Sequence, residues 1–356
     1  MSAGLRDPAA TGRHFWIGLQ PSPDLTDHDR RLLEALSPAG IVLFRENFVH
    51  GAPYERWLVR LAGLLTEVRA RIGRERILVA IDHEGGRVQR TPAPITTLPP
   101  ARVWGGRAEE VGRLVGRELA SLGVNVDFAP VVDVDSNPDN PVIGDRAFSR
   151  DPREVVERAR AFLRGLQAEA VLGCLKHFPG HGDTISDSHL ELPELSIDRE
   201  TLAARELMPF RALAGEAPLV MTAHVLVPAI DAERPVTLSP RFLRDILRTE
   251  IGFEGVVVSD DLGMRAVAEL FGRPEAAAEA LAAGCDQLLL CAHLADTAKA
   301  LEMAAAAEEA VERGALDART LVASGARIER LLARAPQHGV HALDASMLRA
   351  HAGRLV

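Results

Sequence analysis

Gly255-Val256-Val257-Val258-Ser259-Asp260-Asp261 (GVVVSDD) is an apolar run that breaks into a hydroxyl and two carboxylates. Successive β-branched residues without polar alternation describe a strand buried on both faces, as in a parallel sheet. The polar residues then fall where the strand leaves the sheet. Seven other runs share this form: HFWIGLQ (14–20), GIVLF (40–44), ILVAID (77–82), VNVDFAPVVDV (124–134), VLGCLKHF (171–178), PLVMTAHV (218–225) and CDQLLLC (285–291). Helix-like segments lie between them at roughly 53–72, 106–122, 151–170, 198–215, 239–251, 274–283 and 294–312. Start signals include Ser149 or Asp151 with Pro152, Ser239 with Pro240, and Asp198 with Glu200 and Glu206 nearby.

Eight such strands with intervening helices predict an α/β fold, a TIM-type (β/α)8 barrel in a single domain. An open doubly wound sheet is the alternative. Polar residues end nearly every strand: Asp82, Asp133, Lys176 with His177, His224, Asp260 with Asp261, and His293. Active sites form at the C-terminal mouth of such barrels, but ligands also bind at the strand C-termini of open sheets. The pattern therefore favours an enzyme more than it favours the barrel. Residues 1–334 are expected to form the catalytic domain, and 335–356 a tail packing on the barrel or on a partner. No repeat or low-complexity tract interrupts the chain.

The 356 residues are 47% hydrophobic and 26% charged, the profile of a soluble globular protein. A formal net charge of −9 argues against a general nucleic-acid binder, although a local basic pocket is still allowed. Cys174, Cys285 and Cys291 are odd in number and sit in apolar runs, so they read as reduced, buried thiols. No signal-peptide pattern or membrane-span window is visible, and a cytoplasmic location without membrane partners is expected.

The densest chemistry lies in KHFPGHGDT (176–184), followed by Asp187-Ser188-His189. A strand runs into a Pro/Gly-rich loop with three histidines, one lysine and two aspartates. Histidine titrates near neutrality and is the usual proton-transfer side chain. Asp187 and His189 could form an aspartate–imidazole dyad if the loop turns. Of the neighbouring pair Asp260 and Asp261, one can attack an anomeric carbon and the other can cap the following element; the capping role is given to Asp261. Asp82 could accept from sugar hydroxyls and Arg90 donate to them. Arg87 is as readily an Arg–Asp pair holding its loop. Arg146 could clamp a ligand or make a local salt bridge, and His224 could be a packed, hydrogen-bonded core residue. A zinc site from His177, His181, Asp187 and His189 is chemically acceptable but lacks the HExxH or CxxC spacing. Neither metal nor cofactor is expected.

Taken together, DHEGGR (82–87), GDR (144–146), KHFPGHGDT (176–184), DSH (187–189) and SDD (259–261) resemble the bacterial β-N-acetylglucosaminidases of glycoside hydrolase family three. The likeness runs in order over roughly residues 14–312. One departure is His83, where the family pattern has glutamine. The resemblance implies a retaining enzyme with Asp260 as nucleophile, His189 as general acid/base and Asp187 tuning it. It implies that Asp82, Arg90, Arg146, Lys176 and His177 bind the N-acetylglucosamine ring of a small carbohydrate. The substrate class it suggests is peptidoglycan fragments carrying β-linked N-acetylglucosamine, met in cell-wall recycling. An N-acetylglucosaminide phosphorylase and a β-glucosidase of the same family are the nearest alternatives.

Overall fold

The computed structural model describes residues 11–184, 192–264, 270, 272–291 and 295–353. Eight parallel strands close into a barrel in sequence order: β1 Phe15–Gly18, β2 Gly40–Leu43, β3 Leu78–Ile81, β4 Val126–Asp127, β5 Leu172–Phe178, β6 Leu219–Thr222, β7 Val256–Asp261 and β8 Gln287–Leu290. Closure is made by β1 against β8, with Trp16 opposite Leu289. The open-sheet alternative is thereby set aside.

A helical element follows each strand: α1 Asp27–Leu36, α2 Tyr54–Ile72, α3 Ala108–Ser121, α4 Pro152–Ala168, α5 over 199–213, α6 Arg241–Glu250, α7 Glu275–Ala283 and α8 Thr297–Glu312. Two more complete the chain, α9 Ala318–Arg334 and α10 Ala345–Gly353. Helices α1 and α9 have no counterpart in the sequence expectations. α5 is wound as a π-helix through Leu202–Glu206, and α6 is π-wound throughout. Asp151 caps α4 as expected, accepting from the Arg153 amide at 2.8 Å. Ser239 does not cap α6 with its side chain, because its hydroxyl donates to Asp231 at 2.6 Å.

The run 124–134 contributes only Val126–Asp127 to the ladder. Pro130 has no N–H to donate, and the chain beyond β4 follows β5 by separate bonds instead, such as Val132 N to Lys176 O at 2.8 Å.

Side chains alternate along each strand between two apolar layers. Trp16, Val42, Ala80, Val126, Cys174, Met221, Val258 and Leu289 fill the barrel interior. Phe15, Ile17, Ile41, Val79, Ile81, Val220, Val257 and Leu290 face the helices. Trp16 meets Phe128 edge to face at 5.2 Å across the interior. Ile328, Leu331 and Leu332 of α9 belong to the interior cluster, so this helix closes the N-terminal end. The three cysteines are free and buried. Beyond α9 the chain lies on α2 and α3: the Leu343 amide donates to Tyr54 Oη at 3.1 Å, and His351 pairs with Glu118 at 2.8 Å.

The base of the barrel is held by Asp286, immediately before β8. Its carboxylate is fully buried and takes Arg248 at 2.6 Å, Arg327 at 2.7 Å and the Val257 amide at 2.9 Å. Asp286→Asn leaves both guanidinium groups without their anion. We expect a loss of about 2–3 kcal/mol, below the usual cost of breaking a buried pair because both arginines retain some solvent contact. Urea unfolding checks this; a midpoint unchanged from the parent refutes it.

Candidate active site

The two strands that carry the densest chemistry both lose register at their C-terminal ends. The β5–β6 ladder shifts between Leu175 and Phe178, and the β7–β8 ladder between Val258 and Asp261. Such breaks re-aim side chains at barrel rims, and here they fall at Lys176–His177 and at Asp260. A cavity of about 530 Å³ opens at this mouth, with Asp82, Glu84, Arg87, Arg90, Arg146, Lys176, His177, His181, Asp260 and Asp261 in its wall.

Lys176 is the centre of the polar wall. Its side chain is only 2% exposed, and Nζ lies 2.8 Å from Asp82 and 2.6 Å from Glu84. Glu84 in turn receives a two-pronged clasp from Arg146, Nε and Nη2 each at 2.8 Å. Burial would lower the Lys176 ammonium, but Asp82 and Glu84 raise it instead. Burial would raise the Glu84 carboxyl, but Arg146 and Lys176 hold it well below the usual carboxylate range. Arg90 approaches Asp82 more loosely, at 3.8 Å.

The histidine segment rests on Asp133. That buried carboxylate accepts the His177 ring Nδ1 at 2.7 Å, the His177 amide at 3.2 Å and the His181 amide at 2.8 Å. Asn140 adds bonds to the carbonyls of His181 at 2.8 Å and Thr184 at 3.0 Å. His224 is buried, with one ring nitrogen 2.9 Å from the Thr237 hydroxyl and the other 3.1 Å from the Asp261 carbonyl. Burial lowers its affinity for a proton.

Asp260 accepts from the Asp261 amide at 2.8 Å. Burial would raise its carboxyl, but the His224 and His177 rings, that amide and the Lys176 ammonium hold it below the ordinary value. Asp261 instead supports backbone, accepting from Gly263 and Cys291 amides at 2.9 Å each. Of the residues singled out in the sequence, Asp82, Arg90, Arg146, Lys176, His177 and Asp260 all line one cavity. Asp187 and His189 lie outside the described residues, as does His293. Arg87 donates to the Val142 carbonyl and has no aspartate partner among the described residues. Arg146 pairs with Glu84, not with neighbours of Asp145.

Sequence reasoning overlooked the roles of Glu84, Asp127 and Asn140. Glu84 stands two residues beyond Asp82, a spacing that could have flagged a second carboxylate at the same strand end. Burial pushes the Asp127 carboxyl well above its ordinary value, and the carboxyl accepts from the His83 amide at 3.0 Å. His83 is buried, and burial with the nearby Arg90 charge lowers its pKa to about 4. Its neighbours Asp82 and Glu84 line the cavity on either side of it. Among the described residues no cluster of three or more metal-ligating side chains occurs.

A parallel barrel with carboxylates and cations converging on its C-terminal mouth is an architecture that glycoside hydrolases use. The chain belongs to glycosyl hydrolase family 3: residues 19–331 match the glycosyl hydrolase family 3 N terminal domain. A β-hexosaminidase of Methylococcus capsulatus is 43% identical over 289 residues, covering 79% of this chain and 83% of that protein. A family 3 β-N-acetylglucosaminidase from Paenibacillus sp. superposes with a TM-score of 0.87 at 32% identity, over 99% of this chain and 68% of that one. NagZ of Neisseria gonorrhoeae, solved with N-trifluoroacetyl-D-glucosamine, gives a TM-score of 0.71 at 33% identity, over 89% of this chain and 97% of that one.

The Glu84 clasp makes a testable contribution to stability. Because its carboxyl is held below its unfolded value, the stabilisation is complete above about pH 4.5 and is lost as the pH falls below that. Glu84→Gln leaves Lys176 and Arg146 short of one buried anion, and we expect a loss of about 3–5 kcal/mol at neutral pH. Unfolding midpoints measured from pH 7 to pH 3 should fall less steeply for the variant than for the parent. Parallel curves refute the assignment.

Proposed function

We propose that this chain is a retaining β-N-acetylhexosaminidase that removes terminal, non-reducing β-linked N-acetylglucosamine by double displacement. The observation that carries the reading is Asp260, a carboxylate in the cavity wall whose surroundings favour its ionised form. The names and structures of the relatives support the same activity. In the first step a carboxylate oxygen of Asp260 bonds to the anomeric carbon as the glycosidic bond breaks. The departing oxygen takes a proton from His189, whose ring Asp187 tunes. In the second step His189 accepts a proton from water, whose oxygen attacks the same carbon and releases Asp260. Two inversions retain the configuration.

The sugar is held by the polar wall. Asp82 offers acceptors to hydroxyl groups, while Lys176, Arg146 and Arg90 offer donors, and His177 is fixed in orientation by Asp133. The Lys176 ammonium has three N–H donors and two carboxylate partners, so it can bond a substrate hydroxyl while keeping both ion pairs. The substrates are peptidoglycan-derived fragments, and residues 1–334 form the catalytic domain with 335–356 as a strap upon it. A cytoplasmic location is supported by the free, buried cysteines. No helix among the described residues is long and apolar enough to cross a membrane.

Release of p-nitrophenol from its β-N-acetylglucosaminide, with and without phosphate, tests the reading, with the β-glucoside as control. Hydrolysis independent of phosphate and confined to the N-acetyl sugar is expected. Formation of sugar 1-phosphate would instead identify a phosphorylase. Asp260→Ala should lower turnover by roughly 10⁴-fold or more, the scale seen on deleting groups of a covalent step, with unfolding unchanged.

A further inference from the structure

The segment leading from β5 towards Asp187 and His189 is pinned on two sides by Asp133 and Asn140. A third support comes from α5, away from the sugar cavity. Arg205 donates through Nη2 to Asp183 at 2.6 Å and through Nε to Glu206 at 2.6 Å. The Glu206 side chain is fully buried, while Arg205 and Asp183 keep 28% and 25% exposure. Gly180 presses on the same carboxylate: a Cβ there would lie 2.6 Å from Glu206 Oε2.

Two features indicate that this contact is more than ordinary packing. Among the described residues Glu206 Oε2 has no hydrogen-bond partner, an arrangement that costs free energy and is uncommon in buried carboxylates. The turn that presents both residues, Leu202–Glu206, is π-wound, and such turns are frequent at functional sites. Adjacent residues of an ordinary helix diverge by about 100°, yet here Arg205 and Glu206 join in one contact with the loop root.

We propose that Arg205, seated on Glu206, is a positioning residue that sets the origin of the acid/base arm by holding Asp183. Asp183 precedes Asp187 by four residues and His189 by six. Arg205 touches neither substrate nor reacting atoms and acts through the backbone it fixes. This inference rests on His189 being the general acid/base.

The experiment compares kcat/KM, which reports the glycosylation step, for p-nitrophenyl β-N-acetylglucosaminide and for chitobiose. The aryl leaving group needs little protonation and the sugar leaving group needs it fully. Arg205→Ala is expected to slow chitobiose by roughly 10–100-fold, a fraction of what a general acid supplies, and the aryl substrate by less than about threefold. Arg205→Lys should recover part of the chitobiose rate. Asp183→Asn, a conservative change at a partly exposed site, should show the same split and serves if Arg205→Ala fails to fold. His189→Ala, run in parallel, should show a larger split. Equal slowing of both substrates by the Arg205 and Asp183 variants, with the split intact in His189→Ala, overturns the positioning role alone. Absence of a split in His189→Ala overturns the acid/base assignment, and the inference with it.

Discussion

An ammonium group removed from water must be surrounded by anions, and Lys176 meets that requirement by drawing in the ends of separate strands. Asp82 and Glu84 come from the end of β3, and their charges make the buried cation tolerable. Glu84 is itself buried and needs more than one cation, which brings Arg146 across from the loop after β4. Two cations and two carboxylates thus balance, with Lys176 and Glu84 buried and Asp82 and Arg146 reaching the cavity. The mouth of the barrel owes its shape to this charge network, whereas the layers beneath owe theirs to interdigitated apolar side chains. Arg90, only loosely engaged with Asp82, and Asp260, on the next wall, stand outside the balanced set.

The division between the two ends of the barrel follows from the same physics. At the base, α9 contributes Ile328, Leu331 and Leu332 to the interior cluster, and Asp286 gathers two arginines and a strand amide. Those contacts are directed inward, although Arg327 and Leu331 also border a cavity at this end. At the mouth the same residue types are turned towards open space, because register breaks in β5 and β7 aim Lys176, His177 and Asp260 outward.

Periodicity and strand endings were enough to predict the barrel and to mark Asp82, Lys176, His177 and Asp260 at its mouth, whereas it was the family resemblance that joined Arg90 and Arg146 to them. What the sequence did not reveal is pairing. Glu84 and Arg146 are far apart in the chain, as are Asp133 and His177, and no local signal joins them. The helix Asp27–Leu36 was missed because it is polar and short, although Thr26 and Asp29 make a reciprocal capping box that announces it. The run 124–134 looked like one long strand because its apolar residues are continuous, but Pro130 cannot serve the ladder. Asp187 and His189 were legible from their spacing as a possible dyad, and only the resemblance gave them their acid/base roles.

Closure of the barrel has a consequence for biosynthesis. The partner of β1 on one side is β8, so Trp16 waits for Leu289 until the greater part of the chain exists. At ordinary rates of elongation that delay is roughly 15–50 s. Throughout it, Phe-Trp-Ile-Gly is an apolar strand with one edge open, the kind of edge that invites pairing with another chain. The incomplete chain therefore exposes an apolar edge that the closed barrel does not.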